Sequence, residues 1–435
     1  MPRDPKDLLN TVRGMRDILP DEMALRNKVL DVIRDLFRLY GYREIQTPTI
    51  EPYELYAAKS GEEIRHRMYT FTDMGGRKVV LRPEATPSIS RLVARRFRSE
   101  SLPIRLGYIL SVFRYDEPQR GRYREFMQAG FELFGSKNME ADAEILQISN
   151  DLMRRLGFQD YTFKVGNQGL MKALMGFGGM GESAQGIVLH YIDKGQLDEA
   201  EGEISRSSSK GNLIAEKVRR LALLSKEAEG EDLLERGAEI VKDVPDAGSA
   251  ISNLSEVLDL CKGIAVDRLK VDLGFARGLE YYTGTIFEVY VPGVPVAVNG
   301  GGRYDGLTGL FGYPLPAVGC APGVDRIVLA MQEKRASGAE RVPMCMVVAT
   351  SPECIDLAFK AADAIRSSGA SAMLDVNRRN LNSALRYASE RGIRYVVIIG
   401  TREAKENLVT LRDMMRNVQV QMPMNELPNS ISQST

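Results

Sequence analysis

The sequence predicts an α+β protein in three parts: a large, mostly antiparallel domain, a helical insertion within it, and a C-terminal α/β domain. Three observations predict this. Two apolar strand patterns, Ile104–Arg114 and Phe126–Phe134, flank a charged loop at 116–124 that contains Gly and Pro, as in an antiparallel hairpin. From about 176 to 252 the texture turns helical and acidic, with no strong strand pattern. Beyond 341, strand and helix patterns alternate in a βαβ rhythm.

Taken in order, residues 21–40 form an amphipathic helix. Leu25, Val29, Val32, Ile33, Leu36, Phe37 and Tyr40 recur at helical spacing, and Gly41 suits the residue just past its end. YREIQTP reads as an extended segment closing at Pro48, and Val79–Arg82 as a short strand. After the hairpin, Ala141–Leu156 reads as a helix, and GFGGMGES opens the insertion. Strands return at Leu269–Leu273 and Thr285–Val291, and Gly300–Gly302 marks a tight turn. AVGCAPGVDRIVLAM leads into a helix bearing Val324, Ile327, Val328 and Met331. Small, polar Ala336–Arg341 reads as a linker, which sets a first domain at 1–335 and a second at 342–421. In the second, MCMVVAT, Ala372–Leu374 and YVVIIG are strands, and Cys354–Arg366 and Leu381–Arg391 are helices. The tail, 422–435, reads as disordered.

Composition bounds the chemistry. With 58 basic and 58 acidic residues, the whole surface does not demand a polyanion partner. The stretch Lys360–Gln421 nevertheless holds eleven basic residues against six acidic ones. Four cysteines without a CxxC pair argue against a zinc site and suit a reducing compartment. MPRDPKDLLN lacks the apolar core of a secretory signal, and there is no run of 18 apolar residues, so a cytoplasmic protein without a membrane span is expected. Two histidines, His66 and His190, leave little for histidine-based catalysis, so Arg, Glu, Gln and Tyr must carry any chemistry.

Five segments are chemically suggestive, and each alone also suits ordinary structure. In LRPEATP, Glu84 and Thr86 would share a face of an extended chain and suit an ammonium group, although the same residues suit a helix start. In FRYDEPQRGRYREFMQAGFELFG, Arg114, Arg120, Arg122 and Arg124 line the hairpin loop and could cradle phosphates. On the return strand Phe126, Gln128, Gly130 and Glu132 share one face, where Phe126 could stack on a base. In FARGLEYYTGTIFE, Arg277 sits among apolar residues and glycines. The adjacent Tyr281 and Tyr282 would point to opposite faces of a strand, one to core and one to a site. NGGGRYDGL carries neither a dinucleotide fingerprint nor a Walker loop. In GCAPGVDRIVLAM, Arg326 lies in the first turns of a helix, against its dipole, which suggests an anion or π-face nearby.

In order and spacing, these segments resemble class II aminoacyl-tRNA synthetases, and within them the histidyl-tRNA synthetase family. Helix 21–40 with YREIQTPTIEP is similar to the dimer-forming motif 1, FRYDEPQRGRYREF to motif 2 and GCAPGVDRIVLAM to motif 3. RGLEYYTG and GGRYDGL resemble two short motifs peculiar to the histidine enzymes. The likeness runs from residue 10 to about 421. FRYDEPQ and LRPEAT bring it closer to archaeal than to bacterial members, and Ala85 stands where many relatives have glycine. The resemblance implies a homodimer with an antiparallel catalytic domain, an inserted helical domain touching the acceptor stem, and an anticodon-binding domain. It implies histidine, ATP with Mg²⁺, and histidine tRNA as substrates. It places Glu84, Thr86 and Gln128 about histidine's ammonium group, Glu132 and Tyr282 on the imidazole and Tyr304 in the histidine pocket, with Ala85 and Tyr281 also among the histidine-binding residues. Arg114 would meet the α-phosphate, Arg122 the outer phosphates, Phe126 and Arg326 the adenine, and Arg277 the α-phosphate and substrate carboxylate. Arg114 and Arg277 are thereby the catalytic pair, and no Mg²⁺ ligand is assigned. Three other readings compete: a non-catalytic paralogue regulating ATP phosphoribosyltransferase, another class II synthetase, and a pure RNA-binding module. The intact RGLEYYTG motif and the C-terminal domain speak against the first, RGLEYYTG against the second, and the glycine and tyrosine motifs against the third.

Overall fold

The computed structural model describes residues 8–58, 61–334 and 342–432. The first seven residues and the expected linker Ala336–Arg341 lie outside these. The chain divides into two compact units between Gly338 and Ala339.

The first unit contains strands β1 (Arg43–Ile45), β2 (Ile50–Pro52), β3 (Tyr69–Thr72), β4 (Lys78–Leu81), β5 (Ile104–Phe113), β6 (Glu125–Phe134), β7 (Thr162–Asn167), β8 (Leu269–Val271), β9 (Thr285–Tyr290), β10 (Asn299–Arg303) and β11 (Ala317–Cys320). Eight of them form one sheet, in the order β1-β5-β6-β11-β10-β9-β7-β8, and β2-β4-β3 form a small second sheet. The large sheet is antiparallel except at its two edges, where β1 runs parallel to β5 and β8 parallel to β7. The expected hairpin is its longest pairing, with Phe113 opposite Glu125 and Ile104 opposite Phe134.

Helix Pro20–Tyr40 begins with Pro at its start and Asp21 and Glu22 in its first turn. It stops where Gly41 turns left-handed at φ 71°. Its stripe Leu25, Val29, Ile33, Leu36 and Phe37 is buried. Phe37 meets Phe131 of β6 edge-on at 4.8 Å, and Gly107 of β5 lets it approach: a Cβ there would sit 2.4 Å from the Phe37 ring. Helix Met139–Arg155 and helix Val324–Glu333 contribute to the same core.

Three expectations for the first unit need correction. Gly300–Gly302 is not a turn but the middle of β10. Glycine is needed there because the neighbouring strands press close: a Cβ on Gly301 would fall 2.2 Å from the Gly319 carbonyl oxygen. The helical array does not end at 252. Helices Glu182–Asp193, Leu197–Ser207, Gly211–Glu227, Gly230–Val241 and Ala247–Gly263 carry it to 263. The acidic texture fades before the apolar period does, since Ala250, Ile251, Leu254, Val257, Leu258 and Cys261 continue the buried stripe. Finally, β8 stops at Val271, because Asp272 turns the chain by accepting from the Gly274 N–H at 2.9 Å.

The second unit is a five-stranded mixed sheet of β12 (Cys345–Ala349), β13 (Ala372–Leu374), β14 (Tyr395–Ile399), β15 (Leu408–Asp413) and β16 (Val418–Pro423), in the order β13-β12-β14-β15-β16. Parallel pairing at β12 follows the βαβ rhythm, and β15 and β16 add an antiparallel ribbon. The tail is a correction: Leu427–Ser432 is helical, and Leu427 and Ile431, one turn apart, are buried in the core that holds Ala358, Ala361 and Ile365. A polar stretch with two apolar residues at i and i+4 can dock a short helix although it reads as disordered.

Candidate active site

A cavity of about 440 Å³ opens in the first unit on one face of the large sheet. Its floor is β6. The two-residue period aims Phe126, Gln128 and Glu132 into the cavity, while Ala129, Phe131 and Leu133 go into the core beneath.

One end is acidic and closed. Glu132 is only 1% exposed. It accepts hydrogen bonds from the Thr86 hydroxyl at 2.8 Å and from the Tyr304 hydroxyl. Burial pushes its carboxyl up to about 8; those two hydrogen bonds pull against the shift and nearby Glu84 adds to it. Glu84 accepts from the Tyr281 hydroxyl at 2.8 Å. Gly319 of β11 lies opposite Glu132 and makes room for it, since a Cβ there would lie 1.9 Å from the Glu132 Oε2. The Gln128 Oε1 is buried with no hydrogen-bond partner in the protein.

The other end is basic. Arg114, Arg122, Arg277 and Arg326 all line it. Arg114 is steered by a 2.8 Å hydrogen bond from its Nε to the Pro83 carbonyl and lies 5.6 Å from the Phe126 ring. Arg277 is set by its backbone N–H, which donates to Gln168 Oε1 at 2.9 Å, and pairs with Glu288 at 3.5 Å. Gly300 leaves space for it: a Cβ would fall 2.2 Å from Arg277 Nη1. Arg326 donates to the Ala297 carbonyl at 2.8 Å. Burial, then Arg114, Arg122 and Arg277, lower its pKa to about 10. Guanidiniums that repel one another in a cleft are matched by a polyanion.

The cavity gathers nearly every residue singled out in the sequence, with four differences. Glu84 and Thr86 do meet, but not on an extended chain: Thr86 opens helix Thr86–Arg96 and Ala85 is already helical, so the segment is a strand-to-helix turn. Ala85 does not line the cavity; its side chain packs in the core beside Ile89. Arg120 and Arg124 turn away, the former to Glu333 and the latter, buried, to the carbonyls of Asp116 and Arg13. Tyr281 and Tyr282 both face the cavity, because their segment is a loop and strand parity does not apply.

Asp193 and Lys194, at the end of an insertion helix, also line the cavity and were not expected. No sequence signal links them to it.

Matches to two family models and to curated relatives show an aminoacyl-tRNA ligase with a separate anticodon-binding domain. The family model described as histidyl-tRNA synthetase matches residues 14–327, and that of the anticodon binding domain matches 344–434. The histidine–tRNA ligase of Methanocaldococcus jannaschii is 37% identical over 96% of this chain and 98% of its own length. That of Saccharolobus solfataricus is 36% identical over 98% of this chain and 99% of its own. The chain belongs to the histidyl-tRNA synthetase family. The crystal structure of the histidyl-tRNA synthetase from a Nostoc species shares the fold, with a TM-score of 0.76 at 23% identity over 98% of this chain and 99% of its own.

Proposed function

We propose that this cavity activates histidine with ATP, giving histidyl-adenylate and pyrophosphate, and that histidine then passes to the 3′ end of its tRNA. The observation that carries the reading is one cavity with a buried carboxyl between Thr86 and Tyr304 at one end and four arginines at the other.

A carboxyl whose proton affinity lies near neutrality suits an imidazole, whose own pKa is about 6.5. One proton can then be shared between Glu132 and the ring. Tyr282, pushed up to about 12 by burial, keeps its hydroxyl proton and can donate to the second ring nitrogen. Glu84, Thr86 and Gln128 face the substrate ammonium group, and Tyr281 holds Glu84 in place. The substrate carboxylate attacks the α-phosphorus, and the bond from that phosphorus to the pyrophosphate oxygen breaks. Two anions must be brought together, so catalysis is positioning and charge stabilisation. Arg114 and Arg277 flank the α-phosphate and Arg122 reaches the outer phosphates, while Phe126 and Arg326 face the adenine. In the second step a ribose hydroxyl of tRNA attacks the mixed anhydride and AMP leaves. Mg²⁺, carried by ATP as part of that substrate, would supply further positive charge at the phosphates; among the described residues no group of three or more His, Cys, Asp or Glu could hold a metal ion.

The second unit is the proposed reader of the histidine tRNA anticodon, and a homodimer built on helix Pro20–Tyr40 is the proposed assembly, open to sizing by light scattering. The reading is tested by ATP–pyrophosphate exchange against a panel of amino acids. Histidine alone should support exchange. Exchange with another amino acid, or with none, would overturn it.

A further inference from the structure

Asp325 is the residue before Arg326 and was given no role by the sequence. It opens helix Val324–Glu333 and is 4% exposed. Three segments converge on its carboxylate. Arg16 donates to Oδ1 at 2.8 Å, and Arg26, from helix Pro20–Tyr40, donates to the same oxygen. The backbone N–H of Met127, on β6, donates to Oδ2 at 2.6 Å. Arg16 also pairs with Glu22 at 2.6 Å and lies 3.9 Å over the ring of Tyr123, in the loop next to Arg122.

This arrangement exceeds what a helix start requires, for which one exposed acid in the first turn suffices. A buried carboxylate with two guanidiniums and a backbone donor is fully satisfied, and removing one partner strands the others. Its Oδ2 binds the β6 wall of the basic end, and its Oδ1 binds the N-terminal segment and helix Pro20–Tyr40 behind it. Met127 follows Phe126 on one wall, and Asp325 precedes Arg326 on the other. The Asp325 side chain therefore joins those walls beside the backbone contacts that link β6 to the helix start, a bridge of Gln128 with Gly323 and a 3.1 Å bond from the Ala129 N–H to the Pro322 carbonyl. Arg16 ties the Arg122 loop to the same point through Tyr123.

We propose that Asp325 is a positioning residue: with Arg16 and Arg26 it sets the gap between Phe126 and Arg326, and with it the fit of a nucleotide base. This rests on the reading above that the base lies between those two residues. It adds that the N-terminal segment and helix Pro20–Tyr40 control nucleotide affinity without touching the nucleotide.

The test uses the full-length protein carrying Asp325→Asn, Arg16→Gln or both. Histidine-dependent exchange gives KM for ATP and for histidine separately, calorimetry gives ATP binding alone, and thermal unfolding reports on the fold. In Asp325→Asn the ATP KM should rise about fivefold or more, while histidine KM stays within about twofold. Arg16→Gln should shift the same parameter by less. The double variant should be no worse than Asp325→Asn, since both act through one contact. If Asp325→Asn does not fold, Arg16→Gln, whose side chain is partly exposed, decides the matter. Equal rises in both KM values, or unchanged ATP binding in variants that fold, would overturn the clamp. Absence of histidine-dependent exchange in the unaltered protein would instead overturn the functional reading, and ATP calorimetry would still report on the clamp.

Discussion

The two ends of the cavity are built on opposite principles. The acidic end is closed, and its carboxyls are held by hydroxyls: Glu132 by Thr86 and Tyr304, Glu84 by Tyr281. The basic end is more open, and its arginines are held mainly by backbone carbonyls, those of Pro83, Ala297 and Phe287. A carbonyl steers a guanidinium without neutralising it, so the positive charge stays available for a polyanion. A hydroxyl donating to a buried carboxyl offsets part of its desolvation cost but leaves lone pairs free for a second donor. The difference suggests that one end selects by hydrogen-bond geometry and the other stabilises charge.

The largest effect is expected at the basic end. Arg277→Ala should lower the exchange rate by about 10²–10³, the usual loss when one donor to developing charge is removed. A folded variant, confirmed by circular dichroism, that exchanges at a near-normal rate would break the assignment. Next comes the acidic end. Glu132→Gln keeps the shape but can no longer share a proton with the ring, and a lost buried hydrogen bond costs about 2 kcal/mol. Histidine KM should therefore rise about 30-fold, with ATP KM little changed. A rise in ATP KM at constant histidine KM would mean that Glu132 faces the nucleotide.

A smaller effect concerns the free protein. The Glu132 carboxyl rises from 4.5 to about 8 on folding. Between those values the folded state keeps a proton that the unfolded chain has lost. Stability from this group is thus complete below about 4.5 and falls as pH rises through about 8. Thermal melts from pH 5 to 9 should show this decline, and Glu132→Gln should flatten it by up to one proton's worth of slope. An unchanged slope would place the carboxyl's proton affinity in the ordinary range. The smallest effect on the cavity should come from removing the second unit. Truncation after 334 should leave both KM values within about threefold, because the first unit has its own core. The same fragment should charge tRNA poorly. Sizing and circular dichroism must show it folded, and a folded fragment that charges tRNA as well as the full chain would remove the second unit from tRNA recognition.

Much of the site was legible because it lies on one regular strand. Phe126, Gln128 and Glu132 share a face by parity alone, and the helix Pro20–Tyr40 follows from its apolar period. Parity failed where no strand exists, at Tyr281 and Tyr282, and at the glycines of β10, which resemble a turn in sequence. Which arginines of the hairpin face the cavity was not legible either. Arg122 and Arg124 share one parity, yet Arg124 is drawn inward by Arg13, more than a hundred positions away.

The sequence by itself determined the periods, the helix ends and the chemical inventory, because these depend on residues within a few positions of one another. The tertiary structure alone decided which groups meet. Glu132 finds Thr86 and Tyr304 across 46 and 172 positions, and Asp325 finds Arg16 across 309. Such contacts follow from how the eight strands order themselves and where glycines let them close, and no local pattern in the chain records that order.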